Sequence, residues 1–431
     1  QLLRHMYVTR GAADGWQEEY STMLLSLGFA QGESCPNVFW HQAKDICCSV
    51  HGDDFTSSGA CPELDWMEAE TAEHFEITIQ PRMGPGPSDA KEGRSLNRVV
   101  RWLDGRIEYE ADPRQSERRI SECGFDGSKG VASLGVQSTF AELEADTELP
   151  AKTHTAFRGS AARGNYLAAD RIDEPLACKE VCRWMSRNTE HAWQALKRVC
   201  RFFRSAPRLV YTYPQQTVRG IDVYTDTDWA GRPKTRKSTS GGSLMLGSHT
   251  IKHWSSTQTS VALSSGEAEF AGVISGAGQG LGYQALLKDL GIEAPLRVWT
   301  DSSAAIGICS RQGLGKLRHL DTHTLWTQQA VRLGRVDLRK VDGEVNPADL
   351  LTKHSLSRER PEALVRLHGC EYIGGRAESA PTAREGAPTK TTMASATVGA
   401  LDNHERQPIM PHNALNEEEL NRDYPSIAAP K

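Results

Sequence analysis

The sequence predicts a multidomain protein of mixed α/β and α+β class, and three observations point that way. Short runs of β-branched and aromatic residues alternate with amphipathic stretches through the first half of the chain. Residues 220–370 read as three strands in succession and then as strand–helix alternation, the pattern of a mixed β-sheet with flanking helices. Beyond about 375 the composition turns to Ala, Thr, Pro and Gly with almost no aromatics, which predicts a disordered tail. A chain of 431 residues, 38% hydrophobic and 24% charged, is large enough for two or three cored domains.

Taken in order, "DGWQEEYSTMLLSLGF" places Trp16, Tyr20, Met23, Leu24 and Leu27 near one helical face, and Gly28 can end that helix. Strands are expected at "NVFWH" and "ICCSV", then a helix at "ELDWMEAETAEHF" and a loop at "PRMGPGPSDAKEG". Asp104-Gly105 divides "NRVVRWLDGRIEYE" into a hairpin. "FAELEADTELPAKTHTA" reads as a polar connector, and 156–206 as helical, with Lys197, Arg198, Arg201 and Arg204 on the last helix. Strands "IDVYTD", "GGSLMLG" and "TIKHWSS", a long helix from Ser264, strand "LRVWTD", two helices, strand "VDLRKV" and a final helix complete the second half. The expected divisions are 1–150, a helical connection at 151–215, a sheet domain at 216–370 and a tail at 371–431.

Net charge is −5, so no global positive field attracts nucleic acid, and any such binding needs local patches. The ten cysteines lack the paired spacing of a zinc site or a secreted disulfide framework, which suggests reduced thiols and an intracellular location, cytoplasmic or nuclear. A membrane partner is not expected, since no long apolar run is present.

Two places concentrate carboxylates. In "ICCSVHGDDFTSSG" a strand rises to adjacent Asp53 and Asp54. By itself this is a solvated Gly-Asp turn more readily than a hard-cation site. The second place is a set of four acids at element boundaries: Asp226 and Asp301 end strands, Glu269 lies in a helix, and Asp349 lies in the helix opened by "NPADLL". Singly, each has a structural role to play, as turn, N-cap or first-turn acid. Glu269 is the exception. Ser264 and Glu267 have the Ser-x-x-Glu spacing of a capping box, whereas Glu269 stands roughly 200° around from Glu267. A carboxylate facing other carboxylates needs a cation.

The order Asp226, Glu269, Asp301, Asp349 resembles the ribonuclease H family, and "YTDTDWAG", "SSGEAEFAG", "VWTDSSAAI", "RHLDTHTLW" and "NPADLLTK" resemble the ribonuclease H of copia-type retrotransposon Pol polyproteins. The likeness covers about 220–357. It implies an RNA–DNA hybrid substrate and two Mg²⁺ ions, or Mn²⁺, held by the four acids for phosphodiester hydrolysis. Lys234, Arg236 and Lys237 in "GRPKTRKSTSG" and His319 in "RHLDTH" are candidate phosphate contacts, each with a plain loop role as the alternative. A histidine in the loop before Asp349, present in many cellular relatives, is missing from "KVDGEVNPA".

The same resemblance extends forward. "HMYVTRGAADGWQEEYSTMLLSLGF" and the "HGDD" hairpin are similar to a reverse-transcriptase palm, with His51 in place of the usual tyrosine and a divergent "VTRGAADG". Asp53 and Asp54 would then be metal ligands of a polymerase. "FRGSAARGNYLAADRIDEPLACKEVCRWMSRNTEHAWQALKRVCRFFR" resembles the thumb-to-connection region. No segment before Met6 supplies a third palm carboxylate, so the palm is expected to be truncated and not to polymerise, its missing part and an integrase belonging to the rest of the polyprotein. An integrase on the same fold would place its glutamate last, unlike Glu269. A decayed remnant that at most binds nucleic acid is the remaining alternative.

Overall fold

The computed structural model describes residues 10–135, 138–354, 359–382 and 394–398, so Met6, Tyr7 and the expected disorder of 383–393 and 399–431 lie outside the described residues. Its architecture is mixed α/β, with three sheets and helices packed on them.

The first sheet holds the paired aspartates. Helix Arg10–Ser26 covers antiparallel strands Val38–His41, Ile46–His51 and Asp54–Ser58. Ile46, Cys48 and Val50 alternate into a core with Tyr20, Leu24, Phe39 and Phe55, as a half-buried strand requires. His51 pairs with Asp54, leaving Gly52 and Asp53 as a two-residue turn. Gly52 has φ +60°, which lets the turn match the strand twist without a Cβ penalty. Trp16 donates its indole N–H to the Gly52 carbonyl at 2.8 Å, fixing the turn to the first helix. Helix Cys61–His74 follows, and the backbone of Ala394–Val398 pairs parallel with Asp54–Ser58.

The second sheet runs, edge to edge, Cys370–Ile373, Arg208–Pro214, Arg106–Glu110, Arg98–Leu103 and Glu92–Ser95. The Asp104-Gly105 hairpin is therefore as expected, with Leu103 paired to Arg106. Strands Arg208–Pro214 and Cys370–Ile373 were not legible, and they draw segments from both sides of the expected divisions at 150, 215 and 370 into one sheet. Residues 371–382, read as the start of the tail, are packed: Ala377 and Ala380 are buried against Val99. The expected connector at 140–156 is also structured. Thr139 and Glu142 form a reciprocal capping box on helix Phe140–Glu144, and helix Ala151–Leu167 begins soon after. With Pro175–Cys182 and Glu190–Ser205 it encloses a core of Phe157, Leu196, Val199 and Phe203.

The third sheet positions the four acids. Its order is His249–Thr257, Thr239–Leu246, Ile221–Asp228, Leu296–Thr300 and Asp337–Lys340, the first three antiparallel and the last two parallel to Ile221–Asp228. Helix Ser265–Asp289 lies against this sheet. A Cβ on Gly272 or Gly276 would come within 2.7 Å of Thr227 Oγ1 or 2.5 Å of Thr225 Cγ2. Glycine at that spacing lets helix and central strand approach closely enough to bring Glu269 to Asp226. One expectation fails here. "NPADLL" opens a 3₁₀ turn, Pro347–Leu351, in place of an α-helix, and the next α-helix is Glu359–Leu367. Asn346 caps the turn as expected, accepting from Ala348 N–H at 3.1 Å, but its amide also donates to the Thr225 carbonyl at 3.1 Å. That sheet contact competes with a regular helical start.

Candidate active site

Asp226 sits on the central strand, 1% exposed, and Asp301 directly follows the neighbouring parallel strand. Side-by-side parallel strands deliver both carboxylates to the same sheet end. Glu269 arrives from the first turns of the long helix. The three offer ligand oxygens that all lie within 4.8 Å of one another, the one such group of three among the described residues. Glu269 Oε2 is buried with no hydrogen-bond partner. Burial, and then the charges of Asp226 and Asp301, push the Glu269 carboxyl up to about 9. The Asp301 carboxyl is raised for the same reasons, burial first and Asp226 second. Three acids crowded around an orphaned carboxylate oxygen fit a hard divalent cation, which takes oxygen ligands.

Asp349 is buried nearby but stands outside that group. Arg360 Nη2 donates to its Oδ2 at 3.1 Å, and Lys353 Nζ lies 3.7 Å from its Oδ1. Lys353 also approaches Asp226, 3.2 Å from Oδ2 and 3.4 Å from Oδ1, and the Thr352 hydroxyl donates to the same carboxylate. The burial of Lys353 opposes its charge, but Asp226 and Asp349 outweigh that and hold its pKa above the ordinary lysine value. Thr352, Lys353 and Arg360 were missed from sequence. The only trace was the lysine four residues after Asp349 in "NPADLLTK", a spacing that reads as a surface helix pair.

The other expected site residues are dispersed. Glu267 accepts from Leu263 N–H at 3.1 Å rather than completing the capping box with Ser264, although Ser264 Oγ accepts from Glu267 N–H at 3.2 Å. His319 Nε2 bonds to the Glu267 carboxylate at 3.0 Å, which makes it a neighbour of the helix start. Lys234 donates to the Leu143 carbonyl at 2.6 Å, tying the loop before Thr239–Leu246 to the helical region, while Arg236 is exposed and Lys237 half-buried on the same loop. Asp53 and Asp54 join no group of three potential ligands among the described residues.

A cleft of about 440 Å³ opens beside Asp228 and Lys353, between the helical region and the third sheet. Arg183, Lys197, Arg198 and Arg232 line it, against Glu180 and Asp228. Burial lowers the Lys179 pKa, and Lys179 donates to Thr239 Oγ1 at 2.7 Å, bridging the two regions.

No protein-family model matches the chain. Curated relatives do. The chain is 26% identical over 366 residues to the "Retrovirus-related Pol polyprotein from transposon RE2" and 29% identical over 363 residues to that from transposon RE1, both of Arabidopsis thaliana. It is 28% identical over 366 residues to that from transposon TNT 1-94 of Nicotiana tabacum. Each match covers 82% of this chain but only 24% to 27% of the relative, so the chain spans about a quarter of the length of these polyproteins. Over most of its length the chain is thus homologous to retrotransposon Pol polyproteins. Its homologues are, more narrowly, the Pol polyproteins of copia-type retrotransposons, as the sequence motifs implied. No helix among the described residues is long and apolar enough to cross a membrane.

Proposed function

We propose that residues 216–370 form a divalent-metal-dependent ribonuclease H that cleaves the RNA strand of an RNA–DNA hybrid, following a reverse-transcriptase palm and thumb-like region at 1–150 and a helical connection at 151–215. The observation that carries the reading is the convergence of Asp226, Glu269 and Asp301 from two parallel strands and one helix, with Glu269 Oε2 buried and unpaired. These three residues would hold the cation, Mg²⁺ or Mn²⁺, with Asp349 completing the set. A divalent ion there would supply Lewis-acid stabilisation of a phosphoryl oxygen and a more acidic water.

The protein's own contribution is placement. Burial of Asp226 on a central strand fixes the site's floor. The Asn346 amide, anchored on Thr225, and the Arg360 guanidinium set where Asp349 stands. Arg183, Arg198 and Arg232 in the adjoining cleft supply positive charge for a phosphodiester backbone, and Arg236 and Lys237 extend it at the surface. In the first sheet, Asp53 in the two-residue turn and Asp54 at the start of the next strand would be the metal ligands of the palm.

A second reading, a non-catalytic remnant that at most binds nucleic acid, is favoured by one observation: Asp226 and Asp349 are already engaged by Lys353 and Arg360. Incubation with a labelled RNA–DNA hybrid in Mg²⁺ and in EDTA separates the two. Mg²⁺-dependent cleavage lost in Asp301→Asn is the expected result. Binding without cleavage in Mg²⁺ and in Mn²⁺ overturns the enzymatic reading in favour of the remnant.

A further inference from the structure

We propose that Lys353 is the resident counter-ion of the carboxylate cluster, and that a divalent cation loads by displacing its ammonium group from Asp226. The inference rests on the metal-site reading above and concerns how that site is kept and filled.

Asp226 is the most buried of the acids, and an uncompensated buried carboxylate is costly. The compensation is Lys353, whose Nζ lies 3.2 Å and 3.4 Å from the two Asp226 oxygens and 3.7 Å from Asp349. An ammonium so placed occupies ground that a cation bound to Asp226 would need. It is a point charge on a flexible stem, with no preference for planar bidentate geometry.

The backbone beneath Lys353 is held. Asn346 is tied to Thr225, Thr352 donates to Asp226, and the imidazole of His368 bonds to the Pro347 carbonyl at 3.1 Å. The side chain itself is 41% exposed, so the ammonium can leave by rotation about its own bonds without unpacking the turn. A second acceptor lies on the side it would leave toward. Asp228 lines the cleft together with Lys353 and His354, and its carboxyl already feels the Lys353 charge. The lysine thus has two stations, the acid cluster and the cleft. The fold keeps Asp226, Glu269 and Asp301 together without a metal, at the expense of affinity for one.

The sign of the effect is opposite to that of a metal ligand or a merely structural lysine. Removing a competing cation tightens divalent binding, whereas removing a supporting residue loosens it. Mn²⁺ binding to the full chain, followed by the electron paramagnetic resonance of free Mn²⁺, is the measurement, with Lys353→Met, Lys353→Gln and Asp226→Asn alongside wild type. Both lysine variants are expected to bind Mn²⁺ at least about tenfold more tightly, as loss of a charge some 4 Å away at a partly buried site implies. Asp226→Asn is expected to lose most of the binding. Wild-type binding with unchanged or weaker affinity in both lysine variants overturns the proposal and leaves the metal site intact. No Mn²⁺ bound by wild type or by either lysine variant overturns the metal site as well.

Wild-type protein alone provides an independent check that needs no folded variant. Brief acylation of lysines, read by mass spectrometry, is expected to label Lys353 severalfold faster in Mg²⁺ than in EDTA, because the displaced ammonium enters solvent. Equal labelling in both conditions overturns the displacement.

Discussion

Arg360 grips Asp349 and the loop in front of it together: its Nη2 lies 3.1 Å from Asp349 Oδ2 and 3.1 Å from the Gly343 carbonyl, and its Nη1 donates to the Glu344 carbonyl. One guanidinium therefore sets the distance between Asp349 and the loop at 342–346, where a Cβ on Gly343 would lie 3.2 Å from Asp301 Oδ2. Arg360→Ala is expected to lower Mg²⁺-dependent hybrid cleavage by about ten- to a hundredfold, the range of lost orientation at a metal site's supporting residues. Mn²⁺ affinity at Asp226, Glu269 and Asp301 should change far less. Arg360→Lys should not rescue cleavage, because a lysine lacks the planar fork that reaches three acceptors. Single-turnover cleavage rates beside Mn²⁺ titrations check both expectations.

Glu269 is a group kept at a cost to the fold. Its carboxyl is buried beside Asp226 and Asp301, with one oxygen unpaired. Glu269→Gln replaces it with a neutral group of the same shape whose amide can donate to a neighbouring carboxylate. Metal-free Glu269→Gln is expected to be more stable than wild type by about 1–2 kcal/mol, a rise of a few degrees in Tm. Hybrid cleavage should be lost in the same variant. Thermal melts in EDTA with parallel cleavage assays read both quantities, and a lowered Tm would show that the unpaired carboxylate is not a strained one.

The sequence revealed the three clustered acids because each stands where a regular element begins or ends, and because Ser264 and Glu267 account for the helix start without Glu269. What surrounds them was hidden for physical reasons. Lys353 and Arg360 carry no periodicity of their own, and their partners are set by a 3₁₀ turn whose deviation from α-helix comes from the Asn346–Thr225 contact across the sheet. Strand Arg208–Pro214 is stabilised by pairing with Arg106–Glu110 and Cys370–Ile373, both distant in sequence. Non-local register of that kind leaves no trace in local pattern. The two-residue turn at Gly52-Asp53 is the opposite case, since its chemistry is wholly local.

Helix-to-sheet distance is set at Gly276. A Cβ there would meet Thr225 Cγ2 at 2.5 Å and Val223 Cγ1 at 3.2 Å, both on the strand that carries Asp226. Gly276→Ala is expected to cost about 1–3 kcal/mol through overpacking, despite the better helix propensity of alanine. Gly278, exposed on the same helix with nothing within 4 Å of its Cβ position, is the control. Gly278→Ala should stabilise by about 0.5–1 kcal/mol. Opposite signs in urea unfolding of the two variants would establish that the close approach, rather than glycine's flexibility, is what Gly276 serves.

Acid should loosen the turn that carries Asp349, by way of His368. This imidazole is 1% exposed, bonded through Nε2 to the Pro347 carbonyl at 3.1 Å and adjacent through Nδ1 to Thr250 Oγ1 at 3.3 Å. Since a carbonyl only accepts, Nε2 carries the proton of the neutral ring. Burial, aided by the charge of nearby His253 and opposed by the Pro347 bond, lowers the His368 pKa to about 3. An unfolded histidine titrates near 6.5. Between those values the unfolded chain binds a proton that the folded chain refuses, so folding stability falls as pH drops from about 6.5 toward 3. The slope from this one group reaches about 1.4 kcal/mol per pH unit. His368→Gln keeps a donor for the Pro347 carbonyl but cannot titrate. It is expected to be less stable than wild type by about 1–2 kcal/mol at pH 7.5, and to lose that deficit as pH falls to 5. Urea midpoints for both proteins across pH 7.5 to 4.5 measure the difference, in which the titration of shared carboxylates cancels. Parallel curves would mean that His368 is protonated in the folded state, and that the Pro347 carbonyl is held by an imidazolium.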